Sequence, residues 1–370
     1  MQREGWILQP EGWTEGRIEF ETRILRIEGR LSEIPGAGPR ILPGFIDLHV
    51  HGGGGADLME GPEALHQVAG THARHGTTRM LATTVTAPMP ELRSVLGWIR
   101  DGMDSPRHGD ARVLGVHLEG PFLNPARLGA QPPFTTTASL AEVLTLHALA
   151  PIRVLTLAPE CEGHLDLIPQ LAAAGIRVQI GHSDASYEQA CAALAKGASG
   201  FTHLFNAMSP FHHRAPGVAG AALAHAQFAE LIPDLIHVHE GAIRAALRAI
   251  PNLYAVTDGT AASAMPDGDY QLGSQRVAKC ANGVRLADGT LAGSCLTMHQ
   301  AFRNLVSLGL PVEDASRRCS SIPAAFLGEE FLGNLRMGCP ADLVILDENL
   351  DLMEVFIDGR ITPGVGTPAS

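Results

Sequence analysis

Eight short apolar runs, each followed by a stretch of helical character, constrain this chain more than any other feature. They are PGFIDLHVH (43–51), TRMLATTV (78–85), ARVLGVHLE (111–119), IRVLTLAP (152–159), IRVQIGHS (176–183), GFTHLF (200–205), LIHVH (235–239) and LYAVTD (253–258). Runs this short and continuous read as strands buried on both faces, as in a parallel sheet covered by helices. Between them lie segments such as LAEVLTLHALA and YEQACAALAKG, helical in spacing with Gly near their ends. Strands alternating with helices over about 250 residues predict an α/β fold, a (β/α)8 TIM-like barrel over 43–334. The competing architecture, a doubly wound open sheet, calls for a Gly-rich phosphate loop after the first strand. The glycine run at 52–55 follows two histidines and leads into ADLME, which does not suit a nucleotide cradle.

The two ends read differently. The first forty residues alternate apolar and polar with Gly between, as do ADLVILD (341–347) and LMEVFIDGRI (352–361). Both patterns predict strands, and together a small β-sandwich domain built from 1–42 and 335–370, with TPGVGTPAS (362–370) a loose tail. No internal repeat or low-complexity segment interrupts this plan. A chain of 370 residues, 45% hydrophobic, has ample material for one large core and a smaller one. No apolar run reaches the length of a membrane span, and MQREGWILQP has early charges where a signal peptide would be apolar. Six cysteines (161, 191, 280, 295, 319 and 339) lie far apart without a CxxC pair. They read as buried, reduced thiols, so a cytoplasmic protein is expected. The net charge of −12 disfavours nucleic-acid binding. An anionic substrate would need a local basic cluster.

Seventeen histidines are many for such a chain, and His108, His164 and His212 read as surface or loop residues. Others fall at the carboxyl ends of the predicted strands, where barrels of this kind carry their function. The first run ends in His49 and His51, the third in Glu119, and the fifth reaches His182. The sixth contains His203, and the eighth ends in Asp258. An isolated strand-end histidine is ordinarily a packed core residue. Two histidines two apart face one side of a strand and can approach one ion together. With the other strand-end groups they point to a divalent metal, since buried His and Asp without partners are costly. His117 suits a packing or supporting role, and Asp47 an orienting one.

These residues sit in motifs that resemble the amidohydrolase superfamily and, within it, the N-acetylglucosamine-6-phosphate deacetylases. The motifs are PGFIDLHVHG (43–52), HLEGPFLNPARLGA (117–130), GHSDA (181–185), THLFNAM (202–208), VTDG (256–259) and LAGS (291–294). With a closing G-x-P-ADLVILD they cover nearly the whole chain. The resemblance implies that Glu119 takes the place of the carbamylated lysine of most of the superfamily. It implies that Glu119, His182 and His203 hold the principal ion. Some members lack the HxH pair and hold one ion; here His49 and His51 are intact, so one or two ions are expected, with two favoured. Zinc or iron is expected first, manganese or cobalt otherwise. Asp258 matches the catalytic carboxylate, which would take a proton from water and deliver it to the departing sugar amine.

The resemblance also implies substrate contacts at Ala130, Asn206, Ala207, Arg214, His237, Leu291, Ala292 and Gly293. Arg214 offers a fork suited to phosphate oxygens and would reach into the neighbouring active site of a homodimer. Read alone, Arg214 is an exposed loop cation and 291–293 a turn before a helix. Two departures stand out: LGAQ (128–131) replaces KGAH, placing Gln131 where a His contacts the acetyl carbonyl, and PDLIHV (233–238) replaces DGxHV. Gln131 donates a neutral hydrogen bond but no charged one, which shifts carbonyl polarisation toward metal. The expected reaction is hydrolysis of N-acetylglucosamine 6-phosphate to glucosamine 6-phosphate and acetate. Alternatives are an amidohydrolase for another N-acetyl sugar phosphate or an N-acyl amino acid, and a non-catalytic scaffold barrel.

Overall fold

The computed structural model describes residues 1–281 and 283–365. Eight parallel strands organise the middle of the chain. We number them β1 (Phe45–Asp47), β2 (Thr77–Thr84), β3 (Arg112–Glu119), β4 (Ile152–Leu157), β5 (Arg177–Ile180), β6 (Gly200–Phe201), β7 (Phe228–Leu231) and β8 (Asn252–Ala255). The first six form one sheet in sequential order, and β7 pairs with β8. Sequential order leaves no point where the winding reverses, which excludes a doubly wound sheet. All eight residues of β2 are buried, as expected for a strand covered on both faces.

Helices follow the strands, and their apolar stripes explain their placement. The helix Met89–Asp104 buries Leu92, Val95, Leu96 and Ile99, and Met298–Ser307 buries Met298, Ala301, Phe302 and Leu305. Both show the i, i+3, i+4, i+7 spacing of one buried face. The helix Tyr187–Ala195 starts at a reciprocal capping box between Ser186 and Gln189, which fixes its first turn just beyond His182.

Segments from both ends meet in a separate seven-stranded sheet, with Gln2–Gln9, Gly12–Phe20 and Ile24–Ser32 at one side and Leu343–Leu346, Leu352–Ile357 and Arg360–Ile361 at the other. Arg40–Pro43 lies between them, parallel to Gln2–Gln9 and antiparallel to Leu343–Leu346. This sheet has its own core, including Ile7, Ile18, Phe20, Leu343 and Phe356. A buried ion network ties it to the parallel sheet. Arg79 of β2 bonds Asp342 at 2.6 Å and Asp358 at 2.5 Å, and Arg112 of β3 bonds Asp358 at 2.7 Å.

Several sequence expectations need correction. The run 235–239 is not a strand: Asp234 Oδ1 accepts from the backbone N–H of Ile236 and His237, and Leu235 has φ 65°. The seventh strand is Phe228–Leu231 instead. Residues 291–293 begin the last strand of a four-stranded antiparallel sheet (Gly268–Leu272, Gln275–Cys280, Gly283–Arg285, Leu291–Ser294), not a turn. The 52–55 glycines form a tight hairpin in which Gly54 (φ 64°) and Gly55 (φ 88°) occupy left-handed backbone at the turn. His164 is buried, its Nδ1 on the carbonyl of Ala158 and its Nε2 accepting from Ala138 N–H. Cys280 is exposed, and only Cys319 and Cys339 are fully buried. Of the tail, Thr362 is buried and bonded to Val355, while 366–370 lie outside the described residues.

Candidate metal and active site

The strand ends converge as their sequence positions require. His49 and His51 follow β1, Glu119 closes β3, and His182 and His203 each sit two residues past β5 and β6. Asp258 lies three past β8. His182, His203 and Asp258 have φ of 47°, 28° and 48°, so the chain leaves the extended conformation at each of them. That break turns the side chain from the strand direction into the space above the sheet. His and Asp are among the residues that tolerate this backbone best.

Glu119 is the hinge of the cluster. Its Oε1 lies 3.1 Å from both His182 Nε2 and His203 Nε2, which are themselves 3.1 Å apart. Its Oε2 lies 3.1 Å from His51 Nε2 and 3.4 Å from His49 Nε2. Asp258 Oδ1 completes the second group, 3.2 Å from His51 Nε2 and 3.5 Å from His49 Nε2. One carboxylate therefore joins two sets of ligand-type atoms. Ligands about 2.0–2.1 Å from a tetrahedral ion stand roughly 3.3 Å from one another, close to these spacings. Imidazole nitrogens facing each other at 3.1 Å need a shared proton or a cation between them, and with carboxylate oxygens at the same distance both groups fit an ion. A third grouping, His49, His117 and Glu230, also brings ligand-type atoms together. It does not fit: His117 Nδ1 is on the Leu48 carbonyl and Nε2 on Thr156 Oγ1, leaving no free nitrogen.

The field in the cluster calls for positive charge. Burial works against protonated His51, but Asp258 and Glu119 outweigh it and raise its pKa to about 9. Burial likewise opposes a charged His49, and Glu119, Asp258 and Glu230 hold it well above the usual imidazole range. For Glu119 the balance runs the other way: burial pushes it up, while His49, His182 and His203 hold it well below the carboxylate range. A divalent ion satisfies the same field with neutral imidazoles.

Contacts behind the ligands orient them. His182 Nδ1 lies 2.8 Å from the carbonyl of Arg127, so Nδ1 holds the proton and Nε2 faces the cluster. Asp47 accepts from the backbone N–H of His49 and Thr257 and from Thr257 Oγ1, tying β1 to the segment after β8. Three carboxylates escaped the sequence reading. Glu230 of β7 lies 2.9 Å from His49 Nδ1, and Asp234 Oδ2 lies 2.6 Å from His237 Nδ1. Glu160 accepts from Asn124, Ser183 and the N–H of Asp184, pinning the loop that carries His182. Glu230 had one legible signal, a single carboxylate inside the apolar stretch QFAELI.

The predicted substrate residues divide. Ala130, Gln131, Asn206, Ala207, His237, Leu291 and Gly293 line the cavity above the cluster with His51, Glu119, His182, His203 and Asp258. Leu272 and Thr290, unforeseen, line it too. Ala292 does not; strand alternation leaves it fully buried between two lining neighbours. Arg214 is exposed, bonded to His213, and outside the cavity of its own chain. Gln131 is occupied in an unforeseen way: Nε2 donates to Glu119 Oε2 at 2.6 Å, and Oε1 accepts from Thr86 N–H at 2.7 Å.

Known proteins share this arrangement of fold and motifs. The Amidohydrolase family profile matches residues 40–362. The N-acetylglucosamine-6-phosphate deacetylase of Lysinibacillus sphaericus is 39% identical over 94% of this chain and 91% of its own. The N-acetylgalactosamine-6-phosphate deacetylase of Escherichia coli O157:H7 is also 39% identical, over 87% of each chain. Among solved structures, the N-acetyl-D-glucosamine-6-phosphate deacetylase of Mycobacterium smegmatis, in complex with N-acetyl-D-glucosamine-6-phosphate, superposes with a TM-score of 0.90. Its identity is 31% over 98% of this chain and 99% of that one. The chain belongs to the amidohydrolase family.

Proposed function

We propose that this chain hydrolyses the acetamide of N-acetylglucosamine 6-phosphate, giving glucosamine 6-phosphate and acetate. The observation that carries the reading is Glu119, whose two oxygens join the His182–His203 and His49–His51–Asp258 groups on a cavity floor. Glu119, His182 and His203 would hold the principal ion, and His49, His51 and Asp258 a second beside it. A bound divalent ion, zinc or iron first and manganese or cobalt otherwise, supplies Lewis acidity that acidifies water and polarises the amide carbonyl. Asp258, in the cavity wall, takes the proton of the attacking water on its carboxylate and returns it to the departing amine. An amine leaves poorly unless protonated, so one carboxylate serves both halves of the reaction.

Asn206, Ala207 and His237 line the cavity and suit the sugar phosphate; Asp234 holds the His237 ring in place. Leu291 and Gly293 suit the sugar face, and Ala130 with Gln131 the acetyl end. Arg214 would come from the neighbouring subunit of a homodimer. Exposed Phe211, Leu235 and Ile236, close in sequence to Arg214 and His237, suit burial between subunits. We take the parallel strands as a closed (β/α)8 barrel over 43–334, with 1–42 and 335–370 as a small β domain. Supporting closure, Leu204 N–H donates to the Glu230 carbonyl and Asp258 N–H to the His49 carbonyl, both at 2.9 Å. No helix among the described residues is long and apolar enough to cross a membrane, and free thiols, Cys280 exposed among them, go with a reducing cytoplasm.

Equal identity to the gluco and galacto enzymes favours a second reading, the galacto epimer as substrate. The test is acetate release from both N-acetylhexosamine 6-phosphates, unphosphorylated N-acetylglucosamine and an N-acetyl amino acid, with elemental analysis of the same sample. The gluco phosphosugar should give the highest kcat/KM. Preference for the galacto phosphosugar moves the assignment to that epimer. Ion-loaded protein that releases acetate from neither phosphosugar refutes both readings.

A further inference from the structure

We infer that Glu230 is a positioning residue for the second ion, holding His49 in the one tautomer and orientation that can bind it. The inference rests on the two-ion reading above. Glu230 sits in mid-strand on β7, fully buried, where a carboxylate is costly unless partnered. Its Oε2 makes two contacts. It lies 2.9 Å from His49 Nδ1 and accepts from the backbone N–H of His203 at 3.1 Å. An ionised carboxylate only accepts, so Nδ1 of His49 carries the proton. With a cation in place of the second proton, its Nε2 lone pair would face the space shared with His51 Nε2, Glu119 Oε2 and Asp258 Oδ1.

The four histidines of the cluster are not supported alike. His182 leans on a neutral backbone carbonyl, whereas His51 Nδ1 and His203 Nδ1 are buried without a partner. Among these four, His49 has a carboxylate hydrogen-bonded to its Nδ1, whereas Asp57 acts on His51 only through its charge. That partner makes the imidazole a stronger donor to a cation, and it does so on the side of the His49–His51–Asp258 group. The same oxygen reaches the backbone of His203, in the first group, so the carboxylate sets the spacing between both sets. Charge points the same way. Glu119, Asp258 and Glu230 are three buried carboxylates whose contacts with the cluster include no lysine or arginine. One divalent ion leaves that group net negative in a largely buried site; two do not.

The experiment compares holo wild type, Glu230→Gln and His49→Gln by elemental analysis and by chelator competition. Wild type should hold two ions per chain. Glu230→Gln, nearly isosteric, should keep the first at wild-type affinity and bind the second about 10–100-fold more weakly, with KM unchanged and kcat reduced. Adding Glu230→Gln to His49→Gln should change ion affinity no further. Wild type with a single ion refutes the two-ion reading and this inference with it. Two ions in wild type and in Glu230→Gln at equal affinity, or equal weakening of both ions, overturns the role of Glu230 alone. A measurement on wild type stands if the variant does not fold. Proton NMR should show a far-downfield imidazole N–H that disappears in His49→Gln, and absence of that resonance overturns the tautomer on which the role depends.

Discussion

Gln131 offers the sharpest test of how the site is held together. Its two polar atoms are both engaged, Nε2 with Glu119 Oε2 at 2.6 Å and Oε1 with the Thr86 N–H at 2.7 Å. Glu119 and Thr86 are each about 1% exposed, so neither partner has ready solvent to take the place of Gln131. Gln131→Leu keeps the volume and removes both. A hydrogen bond to a charged group contributes about 1.5–3 kcal/mol, and an orphaned buried N–H costs about 1–3 kcal/mol. Together the substitution should destabilise the holoprotein by about 2.5–6 kcal/mol, a fall in Tm of about 3–8 °C for a chain of this size. Gln131→His should recover more than half of that, since a neutral imidazole donates from one nitrogen and accepts at the other. Thermal unfolding of the three proteins at matched ion content is the assay. If Gln131 served only to touch substrate, Gln131→Leu would raise KM and leave Tm within about 1 °C of wild type, and the clamp would be refuted.

Other expectations follow from the same geometry. Asp258→Asn should lower kcat for acetate release by about 10²–10⁴-fold while elemental analysis still finds the ion of Glu119, His182 and His203. Arg79→Met strands buried Asp342 and half of the Asp358 pairing, and should cost about 3–5 kcal/mol in urea unfolding with KM unchanged. His75 is held neutral, its pKa lowered to about 4 by burial and then by the charges of His72, Arg74 and His299. Between its unfolded value near 6.5 and that folded value, the unfolded chain binds more protons, so stability falls as pH drops through the window. The group contributes at most about 1.4 kcal/mol per pH unit. His75→Gln should flatten the decline measured by urea unfolding at stepped pH.

What the sequence revealed and what it hid follow from one distinction. A strand covered on both faces favours apolar and β-branched residues, so 78–85, 111–119 and 152–159 declared themselves even with Arg79 in the first, and Glu119 came with the second. The rule fails where a strand carries function in its middle. Phe228–Leu231 is short and holds Glu230, whereas LIHVH alternates like a strand but is bent by the Asp234 side chain and the left-handed Leu235. The hidden supports share a property: Glu230, Asp234 and Glu160 act through contacts 3 to 181 residues away in sequence. Glu230 and Glu160 carry no local mark, because only the folded chain brings them to His49 and to the loop of His182, whereas Asp234 meets His237 three residues on and was hidden by the strand-like pattern of LIHVH. Ala292 failed for a simpler reason: a motif matched as a block says nothing of which residues in it face the cavity.

The backbone at the ligands links the fold to its chemistry. Left-handed conformations at His182, His203, Ala207 and Asp258 each cost about 1–3 kcal/mol for a non-glycine residue. They persist because neighbouring loops bond to these same peptides. Asn124 N–H donates to the His182 carbonyl at 3.0 Å, Ser183 N–H to that of Ala207 at 3.1 Å, and Ser294 N–H to that of Asp258 at 2.7 Å. Asn124 and Ser183 lie on different loops above the strands, and Ser294 closes the antiparallel strand Leu291–Ser294. A ligand is therefore held by a neighbour's loop as much as by its own strand, and the loops are held in turn by carboxylates such as Glu160. Spacing near 3.1 Å among four imidazoles and a carboxylate requires this cross-bracing, since free rotation at a strand end would separate like-charged rings. The strain and the site are thus one design: the backbone is bent where the histidines and carboxylates meet, and the segments that brace it also wall the cavity above them.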